Sequence, residues 1–185
     1  VAVFFIDLDH FKLINDTLGQ ITGYEVLKAV AERLSQHTRK TATLVRQGGD
    51  EFTIIAQDFK RVEDITKIAE GVFSAFKDPF SIGEHSFLFT VSMGISIYPG
   101  DGDDEETLLK NADIAMYVAK ENGRNNYQLY NPGMNEKITK RLKLENKLRR
   151  AIRNDEFLLH YQPQVDTGIG EVTGIEALVR WQDPE

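Results

Sequence analysis

The first six residues, Val1 to Ile6, are apolar without a break, and the first charge arrives only at Asp7. A run that short and that uniform reads as a strand covered on both faces, so the fold needs a sheet with packing layers on each side of it. It falls far short of the roughly 20 apolar residues that a membrane span requires. The run ends on Asp7-Leu8-Asp9, which places carboxylates at the exit of a buried strand. Because the chain starts inside this run and carries no signal-peptide pattern, it reads as a fragment whose N-terminus lies upstream.

With 185 residues, one domain or one plus a piece of a second is expected. The 22 Lys and Arg against 29 Asp and Glu leave a net charge of −7, which argues against nucleic-acid binding as the main role. The absence of cysteine excludes disulfides, thiolate metal sites and cysteine nucleophiles. After the opening strand, Gly23, Val26, Leu27, Val30, Ala31 and Leu34 recur at helical spacing. Leu44–Arg46 and Phe52–Ala56 flank Gly48-Gly49, which predicts a tight hairpin. Val62, Ile65, Ile68, Ala69, Val72, Phe73 and Phe76 predict an amphipathic helix ended by Asp78-Pro79. Phe80–Ile82 and Phe87–Tyr98 are expected to pair around Gly83. Leu108 to Ala119 predicts a further helix stopped at Gly123, and Tyr127–Tyr130 a short edge strand. Strands and helices in mixed order, with hairpins, predict an α+β fold built on an antiparallel or mixed sheet. After Asn131-Pro132-Gly133 come a charged helix, Asn135 to Asn154, and two short strands, Phe157–Gln162 and Val172–Leu178. These cannot bury a core alone and read as the opening of a second, truncated domain.

The chemistry-bearing residues are few. Asp7 and Asp9 offer hard oxygen ligands suited to Mg²⁺, although an Asp-x-Asp after a strand also serves as a helix cap. Of Asp50 and Glu51, side-chain alternation allows only one to join Asp7, and the adjacent glycines leave the hairpin tip bare enough for a bulky anion. Asp113, Tyr117, Lys120 and Arg124 follow one another at helical spacing. The last two complement the helix dipole or, equally, suit a polyphosphate. Lys12 and Asn15 lie on a helix expected just after Asp9, one suited to a phosphate contact and the other a bidentate amide. Together these residues point to a metal–nucleotide site.

Arg46-Gln47-Gly48-Gly49-Asp50-Glu51-Phe52 resembles the signature of the GGDEF domain, the diguanylate cyclase family. Asp7-Leu8-Asp9-His10-Phe11-Lys12 with Asn15-Asp16, and Asp113 to Lys120 with Gly123-Arg124-Asn125, are similar to two further stretches of that family. Tyr161-Gln162-Pro163-Gln164 and Glu176-Ala177-Leu178-Val179-Arg180-Trp181 resemble the start of an EAL domain, the cyclic di-GMP phosphodiesterase family. The resemblance implies a GGDEF domain over 1–131, a linker helix over 132–155 and a truncated EAL domain over 156–185. It implies a nucleotidyl-cyclase palm that condenses two GTP into cyclic di-GMP and two pyrophosphates as a homodimer. A cytoplasmic site is expected because GTP is there, with no DNA, RNA or membrane contact from this region, although the full-length protein could be membrane-anchored through an upstream segment. Asp7, Asp50 and the Leu8 carbonyl would hold Mg²⁺ or Mn²⁺, and Asp50 would assist removal of the 3′-hydroxyl proton. Lys12, Lys120, Arg124 and the His10–Phe11 backbone would meet phosphates. Gly48 and Gly49 would admit the α-phosphate, and Asn15 would read the guanine. Glu176 would be one ligand of the incomplete EAL site, which cannot hydrolyse the dinucleotide by itself.

Three departures accompany the resemblance. Where the family has Gly-His-x-x-Gly-Asp, this chain has Gly19-Gln20-Ile21-Thr22-Gly23-Tyr24, so its second guanine reader is replaced by Tyr24. The product-inhibition pair is reduced to Arg39, with Ala42 in the acidic position, which implies weak or no feedback. The helix and loop that precede the family's first strand are missing. A cyclase is therefore one expectation, a catalytically silent GTP-binding module that regulates an attached EAL phosphodiesterase is the other, and a nucleotide-free dimerisation platform would leave Asp7, Asp50 and Lys120 without a role.

Overall fold

The computed structural model describes residues 1–38, 42–59 and 61–183, and they divide into two compact units, the second beginning at Asn135. In chain order the first unit contains β1 (Ala2–Leu8), α1 (Phe11–His37), β2 (Thr43–Gly48), β3 (Glu51–Ala56), α2 (Val62–Ala75), β4 (Phe80–Ile82), β5 (His85–Phe87), β6 (Val91–Ile97), α3 (Glu105–Glu121) and β7 (Tyr127–Leu129). Five strands form the main sheet in the order β2-β3-β1-β6-β7. All neighbours are antiparallel except β6 and β7, so the sheet is mixed, as expected.

The opening run occupies the centre of that sheet. Ala2, Phe4, Ile6 and Leu8 pack into the larger core with Val26, Val30 and Leu34 of α1 and Ile65, Ala69 and Val72 of α2. Val3 faces the other way, onto Leu108 and Ala112 of α3, with Phe5 and Leu109 alongside. Alternation then puts Asp7 on the α3 side, at the end of the strand where Glu51 and Ser92 lie opposite it. Arg33 ties α1 to the end of α2. Its guanidinium donates to the carbonyls of Ala75 and Pro79 (3.2 and 2.8 Å) and lies 3.4 Å over the Phe80 ring. It thereby fills acceptors that the helix end leaves open.

The strand pairing overturns one sequence expectation. Phe87–Tyr98 is not one strand paired with Phe80–Ile82: β4 pairs with β5 alone, and β6 leaves to join β1. The physical reason is burial, because β6 is buried along nearly its whole length and only the central sheet offers two covered faces. α1 starts at Phe11, so Lys12 and Asn15 stand on a helix directly after Asp9 as expected, and the Gly23–Leu34 pattern continues it beyond Gly19 (φ 83°, ψ 162°). Its first half packs Phe11 and Ile14 against the larger core and leaves Leu13 and Leu18 exposed.

The second unit contains most of α4 (Gly133–Arg153), followed by β8 (Phe157–Val165) and β9 (Val172–Trp181), which pair as one antiparallel hairpin. Trp181 Nε1 donates to Glu156 at 3.0 Å and closes its base. Leu159, Tyr161, Ile175 and Val179 of the hairpin are exposed. No helix among the described residues is long and apolar enough to cross a membrane.

Gly94 on β6 decides how closely α3 approaches. A Cβ there would overlap the backbone carbonyl of Ala112 and the backbone amide of Met116. Gly94→Ala should therefore push α3 off the sheet and lose about 1–3 kcal/mol of stability in urea unfolding. Gly48→Ala, whose Cβ meets open space, should stay within about 0.5 kcal/mol of wild type. Equal stability of the two variants would contradict this packing.

Candidate functional site

The exit of β1, the first turn of α1, the β2–β3 turn and the end of α3 meet around a cavity of about 220 Å³. It is lined by Asp7, Leu8, Asp9, His10, Phe11, Lys12, Asp50, Lys120 and Arg124. The hairpin that delivers Asp50 turns at Gly49, whose φ of 52° suits glycine, and Arg46 ties it down by donating to the Gly49 carbonyl at 2.8 Å. The Leu8 amide meets the Asp50 carbonyl at 3.4 Å, so the turn and the strand exit are held together by backbone as well as by register.

Charge is arranged around Asp7. Lys120 Nζ lies 2.8 Å from its Oδ2, brought there because α3 covers the face on which Asp7 points. Burial pushes the Asp7 carboxyl above the usual carboxylate range. Lys120 works against this, while the nearby charges of Asp50 and Asp9 add to it. Asp9 has a different environment. Its side chain is wholly buried and accepts from Ser92 Oγ (2.7 Å), Thr90 Oγ1 (2.7 Å) and the Asn125 amide (3.2 Å), with Arg124 Nε at 3.9 Å. Of the two strand-exit carboxylates, Asp7 is therefore the one better suited to a metal, because Asp9 is wholly buried and already holds three donors.

The first turn of α1 begins at His10 in the left-handed region, has no side-chain cap and carries no acidic residue. Its leading N–H groups thus add positive potential beside Lys12. Arg124 follows the helix stop expected at Gly123. It stands beyond α3, after a Schellman turn in which Arg124 N meets Ala119 O at 3.2 Å and Gly123 N meets Lys120 O at 3.4 Å. Lys120 and Arg124 nevertheless line the same cavity, which Asp113 and Tyr117 do not.

The three carboxylates and three long-chain cations of the lining balance, so a bound polyphosphate would carry excess negative charge. No group of three or more His, Cys, Asp or Glu among the described residues is placed to hold a metal. Asp7 with Asp50 still suits Mg²⁺, which is commonly held by one or two carboxylates and completes its shell with substrate phosphates and water.

Other sequence-stated residues fall outside the cavity lining. Asn15 packs against Gly23, where a Cβ would overlap its side-chain oxygen. Gln20 and Tyr24 are exposed on α1, and Gly48 and Gly49 are exposed at the hairpin tip. Glu51 is the register partner of Asp7 but does not line the cavity. Ala42 packs half-buried against the core, and Arg39 lies outside the described residues. Glu176 is exposed on β9 opposite Gln162. Ser92 and Thr90 were missed at the sequence level because they sit within or beside an apolar run and carry no motif of their own.

Residues 1–126 match the family model described as diguanylate cyclase, GGDEF domain, and residues 145–185 match the EAL domain model. Among similar curated proteins are the cyclic di-GMP phosphodiesterase NbdA and the bifunctional diguanylate cyclase/cyclic di-GMP phosphodiesterase MucR, both from Pseudomonas aeruginosa. Each is 40% identical over 184 residues, covering the whole of this chain but only 23% and 27% of the relative. The chain thus spans about a quarter of the length of these relatives. Among solved structures, the GGDEF domain of TpbB (YfiN) from the same organism is similar with a TM-score of 0.72 and 32% identity, over 75% of this chain and 81% of that one.

The raised carboxyl of Asp7 has a consequence for stability. Between the ordinary carboxylate value and its elevated native value, the native state binds more protons than the unfolded state, so ionising Asp7 costs stability as pH rises through that window. In urea unfolding with EDTA present, the stability of Asp7→Asn relative to wild type should rise across the window and level off above it. A difference that falls with pH would mean that the Lys120 contact outweighs burial.

Proposed function

The chain belongs to the GGDEF family, and we propose that its first unit binds GTP with a divalent metal in the 220 Å³ cavity and, as a homodimer, condenses two GTP into cyclic di-GMP. The observation that carries this reading is convergence. Asp7, Leu8, Lys12, Asp50, Lys120 and Arg124 come from three separate stretches of chain and line one cavity.

In this reading the triphosphate lies against the first turn of α1, where N–H groups and Lys12 meet it, with Lys120 and Arg124 on the opposite side. Asp7, Asp50 and the Leu8 carbonyl would hold Mg²⁺ or Mn²⁺, which when bound supplies the positive charge that the balanced lining lacks. Asp50 takes the proton of the ribose 3′-hydroxyl. That oxygen attacks the α-phosphate of the GTP on the partner copy, forming one phosphodiester bond and releasing one pyrophosphate. The reciprocal step closes the ring, giving cyclic di-GMP and two pyrophosphates. Positioning and charge neutralisation carry most of such a reaction.

Tyr24 favours a second reading, a GTP-binding module that regulates an EAL domain without turnover. It replaces the family's acidic guanine reader and is 61% exposed. Losing one hydrogen bond to a charged acceptor costs about 1.5–3 kcal/mol, or roughly 10- to 150-fold in affinity. The triphosphate contacts survive this change, so binding should be weakened and blurred between bases.

Incubation with Mg²⁺ and GTP, followed by chromatography, should yield cyclic di-GMP, and Asp50→Ala should abolish both the product and magnesium-dependent GTP binding. Saturable GTP binding with no product at any protein concentration would establish the silent module instead. Tyr24→Asp should raise the preference for GTP over ATP about tenfold or more, and an unchanged preference would remove residue 24 from the base pocket.

A further inference from the structure

Three successive residues after α3 adopt left-handed backbone conformations: Gly123 (φ 100°), Arg124 (φ 61°) and Asn125 (φ 49°). Glycine accepts this freely, but two consecutive non-glycine residues do so only where their surroundings hold them. The surroundings here are specific. Asn126 Nδ2 donates to the carbonyls of Ala119 and Arg124, each at 2.8 Å. From the other side, Asp9 Oδ2 accepts the Asn125 amide while its Oδ1 faces the Arg124 guanidinium. Asp9 is itself immobilised from β6 by Ser92 and, just before that strand, by Thr90, whose hydroxyls donate one to each oxygen.

We propose that Asp9 is a positioning residue: it clamps the left-handed turn and pre-orients the Arg124 guanidinium over the cavity before any phosphate arrives. The inference rests on the nucleotide reading above and deepens it by separating the two strand-exit carboxylates, Asp7 for the metal and Asp9 for the cation. The Asp9 carboxylate is wholly buried and receives two hydroxyls and a backbone amide, so most of its lone pairs are already engaged. Its remaining negative charge is directed at Arg124, which is 45% exposed at its side chain and so would otherwise sample many rotamers. Pre-ordering a phosphate-binding cation removes an entropic cost that the ligand would otherwise meet.

The test is a double-mutant cycle on the full chain. It is read by calorimetry with Mg²⁺ plus GTP and, separately, with Mg²⁺ plus inorganic tripolyphosphate, which offers phosphates without a base. Asp9→Asn keeps the shape but removes the charge. It and Arg124→Ala should each weaken tripolyphosphate binding about three- to tenfold, and the double variant should bind no more weakly than Arg124→Ala alone. Additive losses would overturn the inference, because a purely structural Asp9 would weaken binding whether or not Arg124 were present. If tripolyphosphate shows the coupling and GTP does not bind, the guanine reading fails and the Asp9 assignment stands. If neither ligand binds wild type, both fall. Should Asp9→Asn not fold, the wild-type protein still decides the matter: the Arg124 Nε–H group should be ordered by NMR relaxation in the ligand-free protein. Mobility equal to that of the exposed Arg150 would contradict the clamp.

Discussion

A carboxylate at the end of a fully buried strand is unfavourable unless a positive charge meets it, and the contact between Lys120 and Asp7 supplies that charge. Much of the molecule serves to make the contact. β1 runs through the middle of the sheet, alternation turns Asp7 toward α3, and Gly94 lets α3 lie close enough for Lys120 to arrive. Burial still prevails over Lys120 in setting the protonation of Asp7, which leaves the site poised to gain from added positive charge. A divalent ion accompanying a polyphosphate is chemistry of that kind.

Some of this was legible in the chain itself. The opening run, the double glycine and the Lys120 spacing each reflect local rules, and each appears in the structure where those rules put it. Other features come from tertiary contacts and left no local trace. Gly94 looks like any glycine in an apolar run, because what requires it is a helix backbone some 20 residues later in sequence. Gly123 ends α3 as its position predicts, but nothing in the spacing shows that Arg124 beyond it meets Asp9. Asp9 could not be told from Asp7 by pattern, since the donors that distinguish them come from Thr90, Ser92 and Asn125, more than 80 residues away.

The second unit has a different logic. Its strands of nine and ten residues pair with one register shift, between Gln164 and Val165, yet apolar side chains such as Tyr161, Ile175 and Val179 stay exposed. Two strands alone have too little to pack against. The match of residues 145–185 to the EAL model, and relatives roughly four times longer that carry the phosphodiesterase name, give that surface a context. Those same relatives differ in whether their names include cyclase activity, so membership of the family does not by itself decide between synthesis and regulation.

The proposed function requires the strand exit, the hairpin tip and the helix end to act as one receptor for a metal-bound polyphosphate. A crystal structure with Mg²⁺ and a non-hydrolysable GTP analogue tests this most directly. The triphosphate is expected between the first turn of α1 and the Lys120–Arg124 pair, with metal density touching both Asp7 and Asp50. Phosphate density elsewhere on the molecule, or a metal bound without either carboxylate, would contradict it.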